Sequence, residues 1–218
     1  MSKLKINNME TPKKKKLREG QTQKKQPGAQ HLMKPQPKSN APSHIGSRKL
    51  EGKAAVITGG DSGIGRAVAI AFAREGCNIG IIYFNEHTDA KATKRLVENE
   101  GKECLLIAGD IKKESFCKTS VEKIYKYFGR VDIIVNNAAV QFPQKNIEDI
   151  TAKQLLKTFS TNILSYFYIV KAAMKYLKNG AAIINTTSVT AYRGSPQLLD
   201  YSATKGAIVT FTRSLSGS

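Results

Sequence analysis

The stretch TGGDSGIG, residues 58–65, decides how this chain folds. It follows the apolar run AAVIT (54–58) and leads into GIGRAVAIAFAREG (63–76), whose apolar residues recur at helical spacing. A strand therefore enters the turn and a helix leaves it. Gly59, Gly63 and Gly65 stand in the pattern G-x-x-x-G-x-G. Glycine suits a turn this tight, and a backbone without side chains can approach a pyrophosphate closely. The helix that follows offers unpaired N–H groups and the positive end of its dipole to the same anion. A glycine-rich turn alone is weak evidence. Its place between a strand and a helix gives it weight.

Working outward, the alternation continues. NIGIIYF (78–84) reads as a second strand and DAKATKRLVENEG (89–101) as a second helix. ECLLIAGD (103–110), SFCKTSVEKIYKYFG (115–129) and VDIIVNN (131–137) repeat strand, helix, strand. One long helical region covers 151–178, AAIINTTS (181–188) is a fifth strand, and a last helix starts near Tyr201. Apolar strands alternating with helices predict a doubly wound, Rossmann-like parallel α/β sheet.

Upstream of Leu50 the composition changes. Residues 1–50 carry 13 Lys and Arg against 2 acidic residues, so most of the net charge of +18 lies there. The segment holds KKKK (13–16), Pro27, Pro35, Pro37 and Pro42 and little apolar periodicity, so it cannot offset its own ordering entropy. A basic tail can contact nucleic acid or an anionic surface. No aromatic residue is interleaved with these lysines, so a stacking platform is lacking and nucleic acid is not an expected partner. No run is long and apolar enough for a membrane span, and the N-terminus lacks the apolar core of a secretory signal. Cys77, Cys104 and Cys117 have no metal-like spacing and read as structural thiols of a cytoplasmic protein.

The end of the second strand bears on the ligand. An acidic residue there binds ribose hydroxyls, and a basic one accepts a 2′-phosphate. YFNEH (83–87) offers Asn85 or Glu86 and no Lys or Arg, and Ser62 is not basic either. Of the two nicotinamide dinucleotides, NAD and NADP, this leans toward NAD. Further on, Tyr201 and Lys205 are i and i+4, hence neighbours on one helix face. A nearby ammonium favours a phenolate, so such a pair can give and take a proton. Ser188 ends the preceding predicted strand, where ligands of open α/β sheets gather.

Taken together, TGGDSGIG (58–65), Asp110, NNAA (136–139), Asn162, Ser188 and YSATK (201–205) resemble, in order and spacing, the short-chain dehydrogenase/reductase family from about Leu50 onward. The stretch QPGAQHLMKPQPKSNAPSHIGSRKL (26–50) resembles the arm of an N-terminally extended subgroup, the general-stress-protein-like oxidoreductases, where it packs against the enzyme. Composition marks a disordered basic tail (1–25), and the resemblance implies an extended arm (26–50) and a dinucleotide-binding domain (51–218) that is incomplete at its C-terminus.

It also implies roles. Tyr201 would be the general acid/base, and Lys205 would bind the nicotinamide ribose. Ser188 would orient a substrate carbonyl or alcohol, and Asn162 would hold a water that relays protons to Lys205. Thr58, Gly59, Asp61, Ser62, Gly63, Ile64 and Gly65 would cradle the dinucleotide. Asp110 and Ile111 would contact its adenine, and Asn136 and Ala138 would line the remaining cleft. Ala139 departs from the family's usual glycine.

The family's sheet has seven strands, and five are visible. The expectation is therefore a fragment or an interrupted reading frame. Homo-oligomerisation would belong to the complete fold rather than to this chain, and activity would be poor or absent. The alternative to an oxidoreductase is a catalytically silent cofactor-binding remnant or a basic-tailed interaction protein.

Overall fold

The structure, a computed structural model, describes residues 21, 23, 25–40 and 43–217. The KKKK run, Pro42 and most of the predicted tail 1–25 lie outside the described residues. Five strands form one parallel sheet: β1 (Ala54–Thr58), β2 (Asn78–Tyr83), β3 (Cys104–Ala108), β4 (Ile133–Asn136) and β5 (Ala182–Asn185), in the order β3-β2-β1-β4-β5. The chain steps outward from β1 through β2 to β3, then crosses back to place β4 on the other side of β1. The order thus reverses between β1 and β4, the switch point at which open α/β sheets hold their ligands.

Successive strand residues face opposite layers. Ala55 and Ile57 of β1 pack with Ala69 and Ala73 of α1 (Gly63–Arg74) and Val97 of α2 (His87–Asn99). Val56 points the other way, to Val121 and Ile124 of α3 (Glu114–Phe128) and Ile169. Both faces of the central strands are covered, and so their sequences are apolar throughout. Each fully buried Ile or Val contributes about 1.5–3 kcal/mol, which makes these central strands the most strongly determined part of the fold.

The long helical region expected over 151–178 is α4 (Ala152–Phe159), a π-helical turn (Ser160–Leu164) and α5 (Ser165–Ala173). The widened turn carries Asn162, whose side chain is bonded inward to the chain after β4. The fifth strand stops at Asn185 rather than Ser188. Thr186 N–H still donates to Asn136 O at 2.9 Å, but past it the chain turns away, and Ser188 O accepts from Ala191 N–H at 3.0 Å. As the five visible strands lead one to expect, β5 forms the sheet edge among the described residues, with Ile184 45% exposed.

A short α6 (Thr190–Arg193) then leads to α7 (Leu199–Leu215). The three cysteines are buried free thiols, each pushed up to about 12 by burial, so their thiolates are disfavoured. Among the described residues no helix is long and apolar enough to cross a membrane.

Candidate functional site

At the carboxyl ends of the strands, over the switch point, lies a cleft of about 480 Å³. The turn after β1 forms its floor. Gly59 has φ +64°, a conformation that side chains disfavour, and a Cβ on Gly65 would stand 2.0 Å from Gly59 O. The glycines therefore let the first turn of α1 sit directly on the loop before it. Gly59, Asp61, Ser62 and Ile64 line the cleft. Thr58, Gly63 and Gly65 support it from outside the lining. Thr58 Oγ1 accepts from the N–H groups of Asn137 (3.0 Å) and Ala138 (3.1 Å), which ties the β1 turn to the loop after β4.

Asp61 and Glu86 line the cleft near the end of β2, and burial raises both carboxyls above their ordinary values. Their mutual repulsion adds to the rise at Glu86. Asn85, the other predicted residue here, is exposed and outside the lining. Asp110 and Ile111, following β3, line the cleft as well, with Asp110 held by Lys112 N–H at 3.0 Å.

After β4 the cleft is lined by Asn137, Ala138 and Ala139. Asn136 was the residue predicted to line it. It is fully buried instead, and its side-chain N–H donates to Asn185 Oδ1 at 2.9 Å, bracing β4 against β5. Strand alternation sends neighbouring asparagines to different surroundings. Asn137 Nδ2 donates to Thr58 O and Gly59 O, both at 3.2 Å. Asn137 belongs to the NNAA motif (136–139), and nothing in the sequence assigns it this bracing role.

Tyr201 and Lys205 enter from α7, one turn apart, and both line the cleft. Asp200, 3% exposed, fixes the start of that helix: its carboxylate accepts from Tyr201 N–H at 2.8 Å, Thr158 Oγ1 at 2.7 Å and Gln154 Nε2 at 3.1 Å. Lys205 Nζ lies 5.4 Å from the centroid of the Tyr201 ring and donates to Thr186 O at 2.8 Å. The lysine is 1% exposed, and burial pushes its ammonium down to about 8.

Asn162 does not line the cleft. Its Oδ1 accepts from Val140 N–H at 2.8 Å, while its Nδ2 donates to Val140 O at 2.9 Å and Thr204 Oγ1 at 3.2 Å. Ser188 also falls outside the lining, where Thr186 and Thr187 stand instead. Its Oγ accepts from Thr190 N–H at 3.2 Å and from Thr190 Oγ1 at 3.1 Å.

The arm forms part of the same cleft: Gln26, Pro27 and Gly28 line it. This contribution was not foreseen, because its pattern of Gln, Pro and Gly carries no periodicity that would place it.

A parallel sheet with a glycine turn at its switch point and a tyrosine–lysine pair across the cleft defines a dinucleotide-type oxidoreductase fold. Comparison with known proteins agrees. The family model described as short chain dehydrogenase matches residues 53–217, and the chain belongs to that family of oxidoreductases. It is 57% identical over 205 residues to the uncharacterized oxidoreductase YhxC of Bacillus subtilis (strain 168), covering 94% of this chain and 71% of the relative. It is 55% identical over 196 residues to general stress protein 39 of the same organism, covering 90% and 68%. A crystal structure of a short chain dehydrogenase from Burkholderia cenocepacia in complex with NADP superposes with a TM-score of 0.74 at 30% identity, covering 76% of this chain and 68% of that one.

Proposed function

We propose that this chain binds a nicotinamide dinucleotide across the switch point and interconverts a carbonyl and an alcohol, with Tyr201 as the proton donor and acceptor. The observation that carries this reading is that Tyr201, Lys205 and the glycine turn share one cleft. The cleft fits such a ligand. It lies at the strand ends, is roomy, and has a bare-backbone floor whose glycines admit no Cβ at Gly65. The Burkholderia relative carries NADP, which supports the ligand class.

When bound, the nicotinamide would supply or accept the hydride, and the protein's part is to orient and polarise. Gly59, Ser62 and Ile64 would lie along the pyrophosphate, Asp110 and Ile111 at the adenine, and Ala138 farther along the cleft. Asp61 and Glu86 stand where the adenosine ribose would lie. Two carboxylates there would accept from ribose hydroxyls and repel a 2′-phosphate, so NAD is preferred over NADP.

Lys205, held by Thr186 O, would offset the negative charge left on the Tyr201 oxygen when its proton departs. Both Thr190 contacts to Ser188 use its oxygen as acceptor, so its hydroxyl proton is not spent on them, and from its place outside the lining Ser188 would meet a substrate only at the edge of the cleft. The Asn162 side chain spends its bonds on Val140 and Thr204. It thereby holds the loop after β4 against α7, and proton relay through a water is left to other atoms of that turn. The substrate is a small molecule bearing a carbonyl or hydroxyl.

The test is titration of the purified protein with NADH and NADPH, followed by ligand fluorescence, together with dinucleotide oxidation in the presence of aldehydes and ketones. Binding with carbonyl-dependent oxidation supports the reading. Failure to bind either dinucleotide overturns it.

A further inference from the structure

Two glutamines of the arm reach opposite banks of the crevice. Gln30 is 5% exposed, and its Oε1 accepts from Gly63 N–H at 2.7 Å, at the head of α1 on the β1 side. Gln26 presents its whole amide to the backbone of Gln141, on the β4 side: Oε1 accepts from Gln141 N–H at 3.1 Å, and Nε2 donates to Gln141 O. Pro27 and Gly28, between these two anchors, line the cleft. The sheet reverses between β1 and β4, so the segment joining the anchors runs across the switch point.

The Gln30 end is held further. Gln30 N–H and His31 N–H donate to the two carboxylate oxygens of Asp89 at 2.8 and 3.0 Å, and His31 Nδ1 lies 3.0 Å from Asp89 Oδ2. Asp89 is 1% exposed and is also paired with Arg66 Nη2 at 3.3 Å. At the Gln26 end the arm is closed on itself by the Gln23 amide, which pairs with Ala29 N–H and O, and among the described residues its hydrogen-bonded hold on the β4 bank is the amide pair of the exposed Gln26 with Gln141. One end is therefore built into the protein, and the other can be released by breaking a single bidentate contact.

We propose that residues 26–31 form a strap across the dinucleotide crevice, hinged at Gln30 and latched at Gln26, which retains a bound dinucleotide. Gln30 and Gln26 are positioning residues. Gln30 holds the first N–H of α1 so that the glycine turn keeps its shape, and Gln26 keeps Pro27 and Gly28 over the ligand. The proposal rests on the dinucleotide reading above.

The strap makes retention separable from chemistry. A ligand under a closed strap leaves only when the Gln26 latch opens. Weakening the latch therefore speeds release without touching Tyr201 or the glycine turn.

The experiment is stopped-flow release of NADH, chased with excess NAD, from the full chain and from Gln26→Ala and Gln30→Ala, with amide hydrogen exchange of both variants read at Gly63 and Gln141. Gln26→Ala is expected to release NADH roughly tenfold faster, the scale of one or two lost hydrogen bonds. Exchange at Gln141 should rise while exchange at Gly63 stays protected. Gln30→Ala should deprotect Gly63. Because Gln26 is exposed, its variant folds even if loss of the buried Gln30 side chain destabilises the arm. Unchanged release and unchanged exchange at Gln141 in Gln26→Ala would overturn the strap while leaving the dinucleotide reading intact. No NADH binding by the unmodified chain would overturn both.

Discussion

Replacing Lys205 by methionine should make this protein more stable and less active. Lys205 is 1% exposed, and its value falls from the ordinary 10.5 to about 8 because burial penalises the charge. That fall corresponds to about 3 kcal/mol against the charged form. Methionine keeps an unbranched chain of similar length and removes the charge, but it also removes the 2.8 Å bond to Thr186 O. A hydrogen bond from a charged donor contributes about 1.5–3 kcal/mol. The carbonyl is not orphaned, since Tyr166 OH still donates to it at 3.3 Å. The burial cost therefore exceeds the lost bond, and Lys205→Met should gain about 1 kcal/mol at neutral pH, or about 2–4 °C in Tm for a domain of this size. The gain should depend on pH in a defined direction. Below about 8 the amine is charged in both folded and unfolded chains, and the full burial cost falls on the fold. Between about 8 and 10.5 the unfolded chain binds the proton and the folded one does not, so the unmodified protein gains stability as pH rises. The advantage of the methionine variant should fade across that window. Urea unfolding of both proteins at a series of pH values reads this directly, because other titrating groups cancel in the difference. A variant less stable than the parent at neutral pH, or an advantage that persists unchanged above pH 10, would refute the reasoning.

Further expectations concern the cleft. Tyr201→Phe should lose about 10²–10⁴ in kcat while NADH affinity, read by fluorescence titration, stays within a factor of a few; unchanged turnover would reject Tyr201 as the proton donor. Gly65→Ala would place a methyl 2.0 Å from Gly59 O, so it should cost about 1–3 kcal/mol in urea unfolding and weaken dinucleotide binding. Parental stability and affinity would mean that the turn is not as close-packed as described. Glu86→Arg should shift the ratio of NAD to NADP affinity toward NADP, because it replaces a carboxylate at the proposed ribose end of the cleft with a phosphate-binding cation. A competition assay in which the ratio of affinities does not move would remove Glu86 from the cofactor site.

Much of the fold was legible because the information is local. The strand–glycine turn–helix order around residues 58–65, and the uninterrupted apolar runs of β1, β2 and β4, follow from periodicity within short windows, and the sheet covers those strands on both faces. The π-turn at Ser160–Leu164 was not legible in the same way. Its apolar pattern continues that of α4 and α5, and the Asn162 it carries is tied to Val140, 22 residues away, a contact no short window of sequence reveals.

The site divides along the same line. Residues whose role follows from their own element, such as Gly59, Gly65, Tyr201 and Lys205, could be picked from spacing. Those whose place depends on which way a strand end turns could not. Asn136 and Asn137 are adjacent and identical, yet one is fully buried against Asn185 and the other lines the cleft. Sequence gives no means of choosing between them until the β4–β5 register pairs Asn136 with Asn185. The arm is the extreme case. Gln26 and Gln30 lie 115 and 33 residues from the backbone groups they bind, and nothing periodic links them. The segment is positioned by contacts distant in sequence, at Asp89, Gly63 and Gln141, so its part in the site becomes visible only once the sheet has placed Gly63 and Gln141 on opposite banks. If that placement is what makes the arm functional, then transplanting residues 26–31 onto a relative that lacks an arm should confer no retention unless the Asp89 anchor is moved with it.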